Sequence, residues 1–129
     1  MAQVLVVDDE LDSCEFVSRF LQREGYTTRC VLNGRQALQQ LLNGSPDAVV
    51  LDVRMPEMDG ISLLEVMRSY LRWTSLPVIL VTAQATPQEL ERAQKLGVCC
   101  VFQKASFKLV DLLECLKRVA PPAVRRNGA

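Results

Sequence analysis

Four short apolar runs, each ending on a polar residue and each followed by a helix-like pattern, constrain this chain most tightly. Val4-Leu5-Val6-Val7 runs into Asp8-Asp9, Ala48-Val49-Val50-Leu51 into Asp52, and Val78-Ile79-Leu80-Val81 into Thr82. Val98-Cys99-Cys100-Val101-Phe102 leads through Gln103 to Lys104. Runs of four or five apolar residues fit strands buried on both faces, and strands that alternate with helices form a parallel sheet covered on both sides. If the runs are neighbouring parallel strands, three carboxylates, a hydroxyl and an ammonium meet at one edge of that sheet. Such a set of groups can hold a divalent cation and a phosphoryl group.

The full pattern is strand and helix in alternation. Residues 3–7 read as a first strand and about 10–24 as a helix with Leu11, Cys14, Val17 and Leu21 on one face, stopped by Gly25. Thr27–Val31 is a second strand, more polar than the others and suited to an edge, whereas strands one, three, four and five suit central positions. Asn33 offers a cap for a helix over 34–43, closed by Gly44. The third strand is 47–51. A loop punctuated by Pro56 and Gly60 follows, then a helix Ile61–Leu71 with Asp59 as its cap. The fourth strand is 78–81, and Thr86-Pro87-Gln88-Glu89 starts a helix that ends at Leu96, before Gly97. The fifth strand is 98–102. Ser106 is the expected cap of a last helix, 107–119, with Leu109, Leu112, Leu113 and Leu116 inward.

Five strands and five helices give (βα)5. Right-handed crossovers and the doubly wound order 2-1-3-4-5 put strand one beside strand three, and ligands bind at the carboxyl ends of the strands at that switch point. Asp8, Asp9 and Asp52 all fall there. Residues 1–120 are expected to form one domain, as suits a chain of 129 residues. Residues 121–129 read as a flexible tail or the start of a linker.

Composition narrows the functions. Fifteen basic and fifteen acidic residues balance, unlike the basic excess of a nucleic-acid binder. No apolar run approaches a membrane span, and the start shows no secretory signal, so a cytoplasmic protein is expected. The five cysteines, Cys14, Cys30, Cys99, Cys100 and Cys115, match no zinc spacing and read as buried, reduced packing residues. The absence of histidine excludes His-dependent triads and a phosphohistidine within this chain.

Each candidate has a structural reading when taken alone. Asp8 or Asp9 could cap a helix, Asp52 could serve a turn, Thr82 could simply end a strand, and Lys104 could be a solvated charge. Their coincidence at one sheet edge is what points to chemistry. Phosphoryl transfer to a carboxylate needs a nucleophile, a cation and donors for the equatorial oxygens. Asp52, on the central strand, is the natural nucleophile. Three gathered carboxylates should raise at least one pKa.

The acidic pair Asp8-Asp9, the segment from Asp52 to Gly60 (Asp-Val-Arg-Met-Pro-Glu-Met-Asp-Gly), Val81-Thr82-Ala83 and Phe102-Gln103-Lys104 together resemble a response-regulator receiver domain of two-component signalling. The resemblance spans residues 3–119 and implies a flavodoxin-like fold. It further implies that Asp52 accepts a phosphoryl group from a sensor histidine kinase or histidine phosphotransfer protein in a phosphorelay. It assigns Mg2+ to Asp9, Asp52 and the backbone carbonyl of Arg54, with Asp8 acting through water. Thr82 and Lys104 would contact phosphoryl oxygens, Lys104 otherwise pairing with Asp52, and Thr82 and Phe102 would form the switch. The responding face would be residues 86–119, binding a partner or a second copy of the domain. Such a domain is no stand-alone enzyme but catalyses its own phosphorylation and dephosphorylation. The competing reading is a degenerate receiver that only docks. An Asp-based phosphatase of the haloacid dehalogenase type needs a second Asp at position 54, where Arg stands.

Three departures from the family pattern matter. Ala105 follows Lys104 where the family usually has a cis-proline, and since a non-proline cis bond costs about 3 kcal/mol or more, a trans peptide is expected. Gly97-Val98-Cys99-Cys100 replaces a more acidic stretch, which suggests a distinct partner face. Arg54, two residues beyond Asp52, is expected to shield the acyl phosphate and slow its hydrolysis; Gln84 holds the corresponding place after Thr82.

Overall fold

A computed structural model describes residues 2–122. The elements are β1 (Gln3–Val7), α1 (Leu11–Arg23), β2 (Thr27–Val31), α2 (Gly34–Asn43), β3 (Ala48–Leu51), α3 (Gly60–Arg68), a 3-10 turn (Leu71–Trp73), β4 (Val78–Thr82), α4 (Pro87–Lys95), β5 (Cys100–Gln103) and α5 (Leu109–Val119). All strand pairings are parallel and the order is β2-β1-β3-β4-β5, the expected doubly wound sheet with β3 at its centre. Alternate residues of each strand point to opposite faces. Leu5, Val7, Val49, Leu51, Val78 and Leu80 pack with α2, α3 and α4. Val4, Val6, Val50, Ile79 and Val81 pack with α1 and α5. Two cores therefore hold one sheet between them, which explains why β1, β3 and β4 carry apolar residues without alternation.

Local chemistry starts the helices where the sequence suggested. The Asn33 side chain accepts from Gln36 N at 2.8 Å, and Asp59 accepts from Ser62 N at 2.8 Å. Thr86 and Glu89 form a complete capping box. Gly25 and Gly97 adopt φ of 98° and 78° just past α1 and α4, a conformation that other residues resist.

Several expectations change. β5 is an edge strand with alternating exposure, so its apolar run covers one face of the sheet and does not sit in the centre. Ser106 does not cap α5: its N–H donates to Gln103 O in a turn, and the helix starts at Leu109 after Lys108. α3 stops at Arg68, three residues early, where the Ser69 hydroxyl takes the Val66 carbonyl and Tyr70 turns extended. Leu11 is exposed because the first turn of α1 stands at the rim of the sheet. Cys14 and Cys115 are buried as expected, but Cys30 and Cys100 are half-buried and Cys99 is exposed. The Lys104–Ala105 peptide is trans, as expected. Pro122 still belongs to the fold, its carbonyl accepting from Ala2 N at 2.9 Å; residues 123–129 of the expected tail lie outside the described residues.

Candidate functional site

The strand ladders run one bond past the strand ends and so fix the loops that carry the acidic residues. Asp8 N donates to Val31 O at 3.1 Å and Asp52 N to Val7 O at 3.0 Å. On the other side, Lys104 N donates to Thr82 O at 3.0 Å. Asp8, Asp9, Asp52, Thr82 and Lys104 thus share the carboxyl edge of the sheet. Carboxylate oxygens from Asp8, Asp9 and Asp52 lie within 4.8 Å of one another. Asp8 and Asp52 are buried and Asp9 is exposed, which leaves the cluster open to solvent on one side.

Lys104 is the hub. Its Nζ lies 2.9 Å from Asp8 Oδ2, 3.1 Å from Asp52 Oδ2 and 3.3 Å from Glu10 Oε1. Burial acts to lower the Lys104 pKa, but the hydrogen bonds and charges of Asp8 and Asp52 outweigh it and hold the ammonium above the ordinary lysine range. The Asp52 carboxyl is pushed upward, first by burial; Lys104 pulls it down, and the Asp8 charge adds to the rise. A raised carboxyl was expected from crowding of carboxylates, whereas desolvation is the larger cause. The remaining oxygens are also engaged: Asp8 Oδ1 accepts from Glu10 N at 3.0 Å and Asp52 Oδ1 from Arg54 N at 3.3 Å.

Thr82 is 3% exposed and donates its hydroxyl to Gln84 O at 2.9 Å, so it is bonded to its own loop and not to the carboxylates. Phe102 is half-buried beside Phe107, with ring centroids 5.9 Å apart and planes at 31°. The Arg54 side chain does not face Asp52. It makes a two-point pair with Glu89, Nη1 to Oε2 at 3.0 Å and Nη2 to Oε1 at 2.8 Å. Arg54 is thereby tied to the first turn of α4, which Glu89 also helps to cap.

The loop from Asp52 to α3 is tightly folded. Gly60 N donates to Val53 O at 2.8 Å, and a Cβ at Gly60 would stand 2.2 Å from Asp52 O. Glu57 takes φ of 68°, with Met58 N donating to Pro56 O at 2.8 Å, so a γ-turn lies over the site. A cleft of about 160 Å3 between β1, β3, α1 and the loop joining β5 to α5 reaches Asp8, Asp52 and Lys104. A second pocket of about 250 Å3 lies at the opposite end of the sheet, by Gln3, Arg29 and Gly44, and holds none of these groups.

Two participants escaped the sequence reading. Glu10 directly follows the acidic pair, and that position alone was the available signal. Glu89 is 35 residues from Arg54, and no local pattern announces their pairing.

The donors at the cluster are all carboxylate oxygens, hard ligands of the kind Mg2+ prefers, and two or three carboxylates with waters suffice for that ion. The residues therefore fit a magnesium site.

The sequence profile of the response regulator receiver domain matches residues 4–117. Response regulator MprA of Mycolicibacterium vanbaalenii is 38% identical over 127 residues, covering 98% of this chain and 54% of that protein. Sporulation initiation phosphotransferase F of Bacillus subtilis is 30% identical over 119 residues, covering 92% of this chain and 94% of that protein. Several curated relatives are much longer, and this chain spans from 20% to 54% of them. Among solved structures, the signal receiver domain of a signal transduction histidine kinase from Syntrophus aciditrophicus superposes with a TM-score of 0.84 at 32% identity, covering 98% of this chain and 95% of that one.

Proposed function

From the premise that this chain belongs to the response regulator receiver domain family of two-component signalling, we propose that it accepts a phosphoryl group on Asp52 and signals through its α4–β5–α5 face. The observation that carries the reading is the pairing of Asp52, 4% exposed at the end of the central strand, with Lys104 Nζ at 3.1 Å, inside a cluster of three carboxylates.

A carboxylate oxygen of Asp52 attacks phosphorus; a P–O bond forms as the P–N bond of a phosphohistidine breaks, and the imidazole nitrogen leaves with the bonding pair. The donor histidine belongs to a sensor kinase or phosphotransfer protein, since this chain has none. Asp9, Asp52 and the Arg54 carbonyl would hold Mg2+ directly and Asp8 through water; when bound, it would supply positive charge to the phosphoryl oxygens. Lys104 turns from Asp52 Oδ2 to a phosphoryl oxygen and keeps its charge inside the site. Thr82 exchanges its bond to Gln84 O for one to the phosphoryl group, and Phe102 turns inward from its half-buried position. These new contacts bias a two-state equilibrium of residues 86–119. That face presents Val101 and Val110, 37% and 55% exposed, to a partner or a second copy of the domain. Among the described residues no helix is long and apolar enough to cross a membrane, and the proposed setting is the cytoplasm.

The test is Mg2+-dependent labelling by a small phosphodonor such as acetyl phosphate. Labelling lost in Asp52→Ala supports the proposal. An unlabelled protein that still binds Mg2+ would point to a phosphorylation-independent docking module.

A further inference from the structure

Outside the carboxylate site, one pair of reactive side chains has no role in the chemistry above. Cys100 on β5 and Cys115 on α5 face each other with Sγ atoms 2.7 Å apart. Both are free thiols, and the separation lies between a hydrogen-bonded thiol pair and the roughly 2.0 Å of a disulfide. Fifteen residues separate them in sequence, so the contact is created by the packing of α5 on β5 and not by a local turn. We propose that Cys100 and Cys115 form a reversible intramolecular disulfide when the protein meets a peroxide, making this pair an oxidation site on the α4–β5–α5 face.

The two sulfurs have different surroundings. Cys115 is 1% exposed and Cys100 is half-buried, and both line a shallow groove of about 540 Å3 with Phe102, Glu114 and Arg118. Arg118 Nη2 lies 3.8 Å from Cys100 Sγ, which puts positive charge where an attacking thiolate would carry its negative charge. Burial, and then the neighbouring Cys100, push the Cys115 thiol up to about 12. The order of events follows. The Cys100 thiolate attacks one peroxide oxygen; the O–O bond breaks, hydroxide leaves, and Cys100 becomes a sulfenic acid. The Cys115 sulfur then attacks that sulfur, water leaves, and the disulfide forms. Two thiols and one hydrogen peroxide give one disulfide and two waters, and a small thiol reverses the bond by exchange. Cys99, adjacent but exposed, points away from α5 and is not the partner.

The bond would fasten β5 to α5. Its effect on signalling rests on the proposed function, but its formation does not, and the following test reads formation alone. The whole protein is treated with dilute hydrogen peroxide, residual thiols are alkylated under denaturing conditions, and tryptic peptides are analysed without reduction. The expected result is a mass lower by about 2 Da before alkylation and a linked pair of peptides, 96–104 with 109–117. The linkage should survive Cys99→Ser, disappear in Cys100→Ser, and reverse with dithiothreitol. Wild-type protein in which Cys115 stays fully alkylated, or in which the link runs through Cys99 or between two chains, would overturn the proposal.

Discussion

Glu89 holds Arg54 away from Asp52. Its carboxylate takes both terminal nitrogens of the Arg54 guanidinium, at 2.8 and 3.0 Å, while Oε1 also accepts from Thr86 N at the start of α4. The loop after Asp52 and the first turn of α4 are therefore joined by one carboxylate. Exposed pairs of this kind contribute only about 0.2–1 kcal/mol, so the tie is weak enough to be exchanged when charge develops on Asp52. Glu89→Gln should release Arg54 toward the acyl phosphate and lengthen its lifetime, and Arg54→Asn should shorten it. Decay of phosphorylated protein after removal of the donor measures both; equal lifetimes in all three proteins would show that Arg54 has no influence.

Lys104 pairs with two buried carboxylates at once. Lys104→Met keeps the apolar stem but leaves Asp8 and Asp52 facing each other, and breaking such a pair should cost roughly 3 kcal/mol. Added Mg2+ should restore part of that loss, because any ligand of the folded state stabilises it by about 1.4 kcal/mol at ten times its Kd. Urea denaturation of both proteins with and without Mg2+ checks this. A variant as stable as wild type, or one indifferent to Mg2+, would contradict it.

Gly60 sits where α3 meets the backbone of the site. A methyl group there would lie 2.2 Å from Asp52 O and 2.9 Å from Val53 Cα, both main-chain atoms with little freedom to retreat. Gly60→Ala should destabilise the fold by about 3 kcal/mol and displace Asp52. The denaturation midpoint should fall and phosphodonor labelling should drop with it; unchanged stability would refute the close approach.

How much of this was legible in the sequence depends on how far each feature reaches along the chain. The helix starts at Asn33, Asp59 and Thr86 are contacts within three residues, and local residue types announced them. The sheet order followed from apolar runs and crossover handedness, which brought Asp8, Asp9, Asp52, Thr82 and Lys104 to one edge. Side-chain choices between distant partners did not follow. Arg54 could reach either Asp52 or Glu89, and the competing bonds decided it. The failure at Ser106 has the same origin: its N–H joined the turn after β5, which the apolar pattern does not encode. The apolar run of β5 misled because one face of an edge strand can be apolar for packing on α1 and α5 alone.

Tyr26 anchors the far end of α5. It is 2% exposed, and its hydroxyl donates to Ala120 O at 2.8 Å. Tyr26→Phe should cost about 1 kcal/mol at neutral pH. Burial pushes the phenol up to about 12 from 10.0, so the folded state holds its proton where the unfolded state has lost it. The stability that Tyr26 adds is thus complete below pH 10 and is lost as the pH rises from 10 through 12. Wild type minus Tyr26→Phe, followed by denaturation from pH 8 to 12, should decline in that window; a flat difference would contradict the burial of the phenol.

The most direct measurement is the intact mass of the protein after incubation with acetyl phosphate, with Mg2+ or with EDTA. The expected result is one phosphoryl group per chain, added only with Mg2+, located on Asp52 and absent from Asp52→Asn. Modification of another residue, modification that persists in Asp52→Asn, or no modification at all with Mg2+ bound would contradict the assignment of Asp52 as the phosphoacceptor.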